Sequence, residues 1–456
     1  MTRDMTNGSP IRQILSFCIP LLIGNLFQQF YNLADSIIVG QMLGTDAFAA
    51  VGSTSSLNFL VLGFALGVCS GFTIPIAQSF GAGDMAVVRR RCGQAVWLCL
   101  LTTVLITTLT FFGTGWILRI TNTPEKLYAD AYTYIFIVFM GTGALVLYNM
   151  VSSVLRALGD SRTPLYFLIV ATVVNIVLDI VFMGPCRMGV EGAAYATVIA
   201  QFLSGLACLV YIHRKVPILH LTRQDLRPDW REMGRIAGVG LPMGLQFSIT
   251  AIGSVMMQSA VNSLGDVVVA AVSVANKVHN ILFIPMDTLG LAMATYCGQN
   301  LGAGRIDRIR KGIRQILWVG LGYCAFSLIA GRFFTPAIAL LFVDAAETEV
   351  LRLAHYQLTI LTACHPILLV LLVFRNSLQG MGFSNSAMMA GLAELAARAI
   401  AVYTLVDLWG FTGTVVGHVL AWLLADVVLL PLYFYKTRRA ERHLQLYHTL
   451  HTQAQS

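Results

Sequence analysis

Residues 43–83 read LGTDAFAAVGSTSSLNFLVLGFALGVCSGFTIPIAQSFGAG, and residues 264–304 read LGDVVVAAVSVANKVHNILFIPMDTLGLAMATYCGQNLGAG. The two stretches align without a gap at an offset of 221 residues. They share an LG pair, an AAV triplet, a glutamine (Gln78 and Gln299) and a closing GAG, all at matching positions. Similarity at one long, constant offset indicates that a structural unit occurs twice in the chain. We therefore expect two related halves.

The composition excludes a water-soluble globular protein. Hydrophobic residues make up 57% of the 456 residues, charged residues only 11%, and the mean hydropathy is +0.73. Because one membrane span takes about 20 to 25 apolar residues, twelve spans use about 260 residues and leave only short connections and two tails. The net charge of +8 is spread between the apolar runs. The sequence therefore predicts a protein of the lipid bilayer that binds no nucleic acid.

Apolar runs between polar breaks predict an all-α polytopic membrane protein with twelve transmembrane helices. The spans are placed near 13–40, 48–78, 93–118, 131–156, 164–184, 190–212, 236–261, 267–299, 314–341, 350–375, 385–409 and 411–435. The repeat divides them into two six-helix lobes. The predicted organisation is a tail 1–12, an N-terminal lobe 13–212, a linker 213–235, a C-terminal lobe 236–435 and a tail 436–456.

The basic residues predict the orientation of the spans. Of the 30 Lys and Arg residues, 23 fall in the tails and even-numbered loops, Arg375 among them, and only 4 fall in the odd-numbered loops. Since Lys and Arg accumulate in cytoplasmic loops, both termini are expected to be cytoplasmic. Each half then contains an even number of spans and crosses the membrane in the same sense. This parallel arrangement of repeats is typical of transporters, although duplication into a mere membrane scaffold is the alternative.

Polar side chains follow helical stripes in the first half. The stripes are Asn25, Gln28, Asn32 and Asp35 on the first span, and Thr172, Asn175 and Asp179 on the fifth. Asp35, Asp179 and Thr197 of the sixth span lie at similar predicted depth in the outer leaflet. Two carboxylates in a poorly hydrated pocket cannot both stay ionised without a cation, so H⁺ or Na⁺ is expected there. The alternative is a static hydrogen-bond cluster that holds helices together.

The second half has no such pair, but it carries other charged residues within spans. Lys277 and Asp287 lie on the eighth span, and Glu394 and Arg398 lie on the eleventh. The spacing of Glu394 and Arg398 favours a structural salt bridge, and a place on the substrate path is the alternative. Lys277 can extend towards the outer surface. His279, His365 and His418 are isolated in the sequence and are interpreted as packed polar residues.

Several chemistries are excluded by the motifs. None of the five lysines follows a glycine, so a phosphate-binding GxxxxGK[ST] loop and an ATP-driven pump within this chain are ruled out. The sequence has no HExxH motif, and its cysteines show no CxxC spacing. We therefore expect no enzyme activity, no cofactor and no structural metal. The energy must come from an ion gradient, or the solute moves down its own gradient. One charge moved through 100 mV supplies about 2.3 kcal/mol, enough for a roughly 40-fold solute gradient.

Over about residues 10 to 440 the chain resembles the multidrug and toxic compound extrusion (MATE) family. The resemblance is carried by Pro20 and by six short motifs in order: NLADSIIVGQMLG, AQSFGAGD with its echo GQNLGAGR, RALGDSRTP, NIVLD and GVEGAAYAT. It implies two lobes around a central cavity that opens alternately to each side. It also implies export of organic cations and amphipathic drugs, including antibiotics and other xenobiotics, in exchange for H⁺ or Na⁺.

The resemblance also implies roles for particular residues. The coupling site would consist of Asp35, Asn175, Asp179 and Thr197. Tyr134 and Asn149 match fourth-span positions of that site, and Pro20 matches a proline at which the first helix bends. The polar stripe of the first span, apart from the resemblance, makes Gln28 and Asn32 candidates for lining the coupling or substrate site. One branch of the family carries an acid in the seventh span and another in the tenth. The seventh and tenth spans of this chain contain no acid. That departure argues against a Na⁺ site in the C-terminal lobe and makes H⁺ coupling through the N-terminal lobe the first choice, with Na⁺ at Asp35 and Asp179 as the alternative.

The sequence therefore predicts a monomeric secondary antiporter, located in a bacterial inner membrane, that exports small cationic or amphipathic molecules. A flippase for lipid-linked oligosaccharides, from the same broader superfamily, is the alternative function. It would require a strongly basic cavity and usually two further spans, whereas the charge within the predicted spans is mainly acidic. A membrane enzyme or receptor component is a third and weaker alternative.

Overall fold

The computed structural model describes residues 3–120, 123–333, 340 and 346–455, and the regular secondary structure of these residues is helical. The predicted all-α class is confirmed. The α-helices are α1 (Pro10–Leu43), α2 (Thr45–Ser53), α3 (Ser55–Phe72), α4 (Ile74–Gly81), α5 (Met85–Ile120), α6 (Glu125–Met140), α7 (Thr142–Ala157), α8 (Arg162–Met183), α9 (Val190–Lys215), α10 (Trp230–Asn262), α11 (Asp266–Gly302), α12 (Ile306–Phe333), α13 (Thr348–Ala363), α14 (His365–Gly380), α15 (Ser384–Ile400), α16 (Val406–Trp409) and α17 (Phe411–Gln455). A 3₁₀ turn spans Pro217–Leu219, and a π-helical turn spans Ala401–Leu405.

The helices are long and apolar enough to make this a multi-pass membrane protein. Within the described residues ten spans pass as single helices, and two bent helix pairs raise the number to twelve. The pairs are α6 with α7, bent by 48°, and α13 with α14, bent by 52°. The predicted fourth and tenth spans are therefore bent rather than straight. Each bend coincides with a break at a single residue, Gly141 in the first pair and Cys364 in the second.

Some predicted boundaries differ from the structure. The second span is divided into α2, α3 and α4 by turns at Thr54 and Thr73. Helix α17 continues through most of the predicted C-terminal tail to Gln455. The end of the predicted ninth span, 314–341, lies largely outside the described residues, since α12 is described as far as Phe333.

The chain divides into two compact units. Unit 1 contains Met1–Asp4 and Ile19–Ser248, and unit 2 contains Met5–Cys18 and Ile249–Ser456. The lobes predicted at 13–212 and 236–435 stay predictions. In unit 1 a large apolar core forms around buried residues of α3, α4, α5, α7 and α9. In unit 2 a smaller core joins α11 to α13, where buried residues recur at helical spacing on both helices: Ala271, Val274, Val278 and Leu282 against Val350, Ala354 and Leu358.

Helices α3 and α10 approach each other closely in unit 1, because glycines lie at their contact. A Cβ atom added to Gly240 would lie 2.3 Å from a ring carbon of Phe72, and one added to Gly71 would lie 2.4 Å from the Cα atom of Gly240. Phe72 is only 1% exposed, so its ring has little room to move. Small residues allow membrane helices to approach at such distances.

We expect Gly240→Ala to lower the free energy of unfolding by about 1–3 kcal/mol, because the added methyl group overpacks the contact with Phe72. The matched control is Gly238→Ala on the same helix, where an added Cβ meets no heavy atom within 4 Å in the described part of the chain. Thermal unfolding in detergent measures both variants. Equal melting temperatures for the two would contradict the close-contact explanation.

Asp160 caps the start of α8. Its Oδ1 atom accepts hydrogen bonds from the backbone N–H groups of Arg162 and Thr163, both at 3.0 Å, and its Oδ2 atom accepts one from the Thr163 hydroxyl at 2.7 Å. Asp160 is 3% exposed. A carboxylate that accepts the first N–H groups of a helix stabilises its N-terminus. The Asp160, Arg162 and Thr163 positions of the RALGDSRTP motif therefore form a helix cap.

The linker between α9 and α10 is fastened to α5 within unit 1. The Gln94 side chain donates to the carbonyl oxygens of Asp225 (3.2 Å) and Arg227 (2.9 Å) and accepts from the backbone N–H of Asp229 at 2.8 Å. Trp97 donates its indole N–H to the Leu226 carbonyl at 2.7 Å. The linker is thus an ordered part of unit 1.

Candidate functional site

The carboxyl groups of Asp35 and Asp179 meet in unit 1. Asp35 lies on α1 and Asp179 on α8, and the two carboxyls are within hydrogen-bonding reach of each other. Asp179 is fully buried and Asp35 is half-buried. Among the described residues, the Oδ1 atoms of both have no hydrogen-bond partner. Two ionised carboxylates repel each other at this distance, so the pair needs a proton or a cation to be stable.

The amide of Asn175 lies between Asp179 and Thr197, and Asn175 is itself fully buried. In one orientation its nitrogen donates to Asp179 Oδ2 at 3.0 Å and its oxygen accepts from the Thr197 backbone N–H at 3.3 Å. In the other orientation the nitrogen reaches the Thr197 hydroxyl at 3.5 Å. We assign the first orientation, because it satisfies both ends of the amide. Asn175 thereby holds one oxygen of Asp179 in place.

Two tyrosines and one threonine complete the cluster. Tyr31 donates its hydroxyl to the Thr197 Oγ1 atom at 3.4 Å. Tyr134, which is 7% exposed, lies close enough to Asp35 and Asp179 to interact with them electrostatically. The structure therefore brings together Asp35, Asn175, Asp179, Thr197 and Tyr134, and their role in ion coupling stays a prediction. Tyr31 was not predicted, although its position four residues before Asp35 places it on the same face of α1.

The other predicted lining residues make their described hydrogen bonds within their own helices. Gln28 donates to the side chain of Asn32 at 3.5 Å, and Asn32 is exposed. Asn149 donates to the Leu145 carbonyl at 2.8 Å, one turn earlier on α7. Pro20 lies buried inside α1, so its predicted role in bending that helix stays a prediction.

We expect Thr197→Val to weaken binding of a proton or Na⁺ at this site about two- to tenfold, because the hydroxyl that accepts from Tyr31 is lost at a cost of about 0.5–1.5 kcal/mol. Thr172→Val is the matched control, since the Thr172 hydroxyl bonds to the Leu168 carbonyl of its own helix at 2.9 Å. The external pH or Na⁺ concentration that gives half-maximal export measures the effect. A larger shift in Thr172→Val than in Thr197→Val would contradict this assignment.

In unit 2 Glu394 is held between two arginines. Its Oε2 atom accepts from Arg375 at 3.0 Å and its Oε1 atom from Arg398 at 3.4 Å. The expected pairing of Glu394 with Arg398 is therefore present. Arg375 does not lie in a loop, contrary to the sequence prediction, because α14 extends to Gly380 and leaves the Arg375 side chain only 13% exposed. The predicted span ended at Arg375 because the apolar run ends there, whereas the helix continues for five more residues.

The remaining charged candidates of unit 2 are separated. Asp287 lies close enough to Arg375 for an electrostatic interaction, whereas Lys277, ten residues earlier on α11, is exposed. The three histidines, which are isolated in the sequence, lie near one another in the structure. The rings of His279 and His365 are 5.3 Å apart, and His418 lies near His279. They come from α11, α14 and α17, so only the folded chain brings them together. Packed polar residues remain their interpretation.

Within the part of the chain that the structure describes, no group of three or more His, Cys, Asp or Glu side chains could hold a metal ion. The oxygen atoms around Asp35 and Asp179 include an amide and a hydroxyl, which are ligands that Na⁺ also accepts. The site is thus chemically able to hold a proton or a small monovalent cation. A repeated, multi-pass helical protein with such a buried acidic pair has the characteristics of a membrane transporter.

Comparison with known proteins identifies the family. The MatE family model matches residues 20–181 and 242–404, one segment in each half of the chain. The probable multidrug resistance protein YpnP of Bacillus subtilis (strain 168) is 34% identical over 308 residues, covering 67% of this chain and 68% of YpnP. The probable multidrug resistance protein YoeA of the same organism is 31% identical over 367 residues, covering 79% of each chain.

A solved structure shows the same fold. The outward-facing conformation of a multidrug resistance MATE family transporter of the MOP superfamily matches with a TM-score of 0.87 and 22% identity, covering 95% of this chain and 97% of the other. The chain belongs to the MATE family of multidrug efflux transporters. The resemblance inferred from the motifs is confirmed, and the protein is a transporter rather than an enzyme.

Proposed function

We propose that this protein is a secondary active transporter that exports organic cations and amphipathic drugs in exchange for H⁺ by alternating access. The observation that carries the proposal is the contact between the carboxyls of Asp35 and Asp179. A buried acidic pair of this kind is stable when it shares a proton and becomes unstable when it loses that proton. Its protonation can therefore bias the protein towards one of two conformations.

Asn175, Thr197 and Tyr134 act with this pair. Asn175 orients Asp179, and Thr197 anchors both the Asn175 amide and Tyr31. In the proposed cycle, protons from outside neutralise the two acids and favour the inward-facing state, which then receives the drug. Release of the proton inside favours the return. Ion-gradient energy is thereby converted into a solute gradient.

We place the protein in a bacterial inner membrane with both termini cytoplasmic, acting as a monomer. The asymmetry of 23 to 4 basic residues supports this orientation, and it is large enough to survive moving Arg375 from a loop into a helix. We propose the two lobes 13–212 and 236–435 as the moving parts. The substrates are small cationic or amphipathic molecules.

Two alternatives differ in what they require. Na⁺ in place of H⁺ would use the same oxygen atoms of Asp35, Asp179, Asn175 and Thr197. A lipid-linked oligosaccharide flippase would use the same fold for an anionic lipid substrate. The relatives YpnP and YoeA carry names of multidrug resistance proteins, which favours drug export over lipid transfer.

Export of ethidium by everted membrane vesicles tests the proposal. Native protein and Asp35→Asn are compared under an imposed pH gradient and, separately, under an imposed Na⁺ gradient. We expect transport driven by the pH gradient alone in the native protein, and its loss in Asp35→Asn. Transport driven only by Na⁺ would change the ion, and full activity of Asp35→Asn would overturn the coupling site.

A further inference from the structure

Unit 2 contains a buried network of ions in which one carboxylate is fully satisfied. Both oxygens of Glu394 are paired, one with Arg375 at 3.0 Å and one with Arg398 at 3.4 Å. The three side chains are 5% to 13% exposed. Arg398 also donates to the Thr250 carbonyl at 3.3 Å. Glu394 is therefore the shared ion-pair partner of two guanidinium groups.

A second carboxylate reaches this network without a satisfying partner. Asp426 of α17 is 6% exposed, and it lies close enough to Arg375 and Glu394 to interact electrostatically with both. Its Oδ1 atom has no hydrogen-bond partner among the residues that the structure describes. Asp287 of α11, which is half-buried, also interacts with Arg375. Arg375 thus faces three acids, two of which do not form an ion pair with it.

The charges of this network do not balance. Three carboxylates (Asp287, Glu394 and Asp426) face two guanidinium groups (Arg375 and Arg398), which leaves one negative charge in excess. An uncompensated charge buried in a membrane protein is strongly unfavourable, so it is removed by binding a proton or a cation. We propose that Asp426 holds a proton at a second site, in unit 2, that is separate from the Asp35 and Asp179 pair.

Asp426 is the group in the network best suited to hold this proton. Glu394 has both oxygens engaged by arginines, and Asp287 is less buried than Asp426. The Oδ1 atom of Asp426 is buried and has no hydrogen-bond partner among the described residues, so protonation stabilises Asp426 more than the other two acids.

The histidines near the network are less suited than Asp426 to bind the proton. His418, two turns earlier on α17, would gain a positive charge close to Arg398 and His279. His279 and His365 face each other at 5.3 Å, and His365 already shares a hydrogen bond of 2.8 Å with Ser327. A charged histidine would therefore meet like charge, whereas a protonated Asp426 removes the excess negative charge.

The backbone next to the network is irregular. The π-helical turn Ala401–Leu405 begins three residues after Arg398 and interrupts the regular helix that carries Arg398 and Glu394. Such turns often mark functional sites in helices. The use of the second proton in transport rests on the proposed function, whereas proton binding by Asp426 does not.

Infrared difference spectroscopy of the purified full-length protein tests the proton directly, because a protonated carboxyl group gives its own C=O stretching band. The reference is the double variant Asp35→Asn/Asp179→Asn, which removes the two carboxyls of the proposed coupling site in unit 1. We expect one band from a buried carboxylic acid to remain in this variant during a pH titration. Adding Asp426→Asn should remove the band, and adding Asp407→Asn, which changes an exposed acid of the same unit, should leave it.

A band that persists in Asp426→Asn would overturn the proposal. So would a titration in which Na⁺ addition abolishes the band, because the site would then bind Na⁺ in place of the proton. If Asp426→Asn does not yield folded protein, Asp426→Glu provides the test, since it keeps the acid and should shift the frequency of the band. An unshifted band in Asp426→Glu would count against Asp426.

The measurement uses no ion gradient and no drug, so it separates this proposal from the proposed function. Should export prove to be driven by Na⁺, the band would still report whether Asp426 is protonated. When the pH gradient does drive export, we expect Asp426→Asn to reduce by one the number of protons exchanged for each drug molecule. An unchanged ratio would remove the second proton from the transport cycle.

Discussion

Replacing Asp179 by asparagine is expected to reduce export driven by a pH gradient at least about tenfold and to remove the dependence of the remaining transport on external pH. Asparagine has nearly the same shape and can still bond to Asn175, but it cannot take up and release a proton. The loss therefore reports coupling rather than packing. A tenfold effect corresponds to about 1.4 kcal/mol, which is a modest part of the free-energy difference between the protonated and deprotonated forms of a buried acidic pair.

Accumulation of ethidium in everted vesicles measures this effect, with the amount of protein in the membrane determined by immunoblot. The matched control is Asp130→Asn, which neutralises an exposed acid on α6 in the same unit. The double variant Asp35→Asn/Asp179→Asn should be no worse than either single variant, because the two acids act as one titrating unit. Retention of more than half of the activity in Asp179→Asn would contradict this mechanism.

Replacing Glu394 by alanine should destabilise the protein by about 3–5 kcal/mol. The change leaves the buried Arg398 guanidinium without its ion-pair partner, and Arg375 keeps only its longer-range interactions with Asp287 and Asp426. Breaking a buried ion pair by removing one partner is far more harmful than removing an exposed pair. Thermal unfolding in detergent measures the loss.

The exposed pair of Glu349 and Arg352 provides the comparison. Its atoms are only 2.7 Å apart, closer than either contact of Glu394, but its side chains are 55% and 67% exposed. We expect Glu349→Ala to leave the melting temperature nearly unchanged, since water screens and replaces the pair. Similar shifts for Glu394→Ala and Glu349→Ala would show that the buried network contributes little to stability.

Features encoded by local spacing could be predicted from the sequence. The repeat, the helical class and the stripe that ends at Asp35 each follow from residues close together in the chain. The depth of Asp179 and Thr197 in their spans then grouped them with Asp35, and the structure brings all three together in unit 1. Membrane thickness made this possible, because it converts position within a span into height.

Features that depend on lateral contacts between helices could not be predicted. Arg375 and Glu394 lie on different helices, and nothing in the local sequence of either indicates the other. The grouping of His279 and His365 depends in the same way on the packing of α11 against α14. The depth of a residue in the membrane does not show which neighbouring helix its side chain faces. The network of Arg375, Glu394 and Arg398 therefore could not be predicted from the sequence.

The attachment of the linker to α5 affects how the protein can be engineered. A connection between repeated halves usually tolerates inserted residues, because surface loops have few contacts to lose. Here the Gln94 side chain forms hydrogen bonds with three backbone groups of the linker. A Cβ atom on Gly93 would lie 2.1 Å from the Asp225 carbonyl oxygen, so the linker and α5 are also in close contact. A fluorescent tag or a chain break between residues 222 and 229 would therefore disturb the first unit itself. Reporter insertions and split versions of the protein are better placed outside this segment.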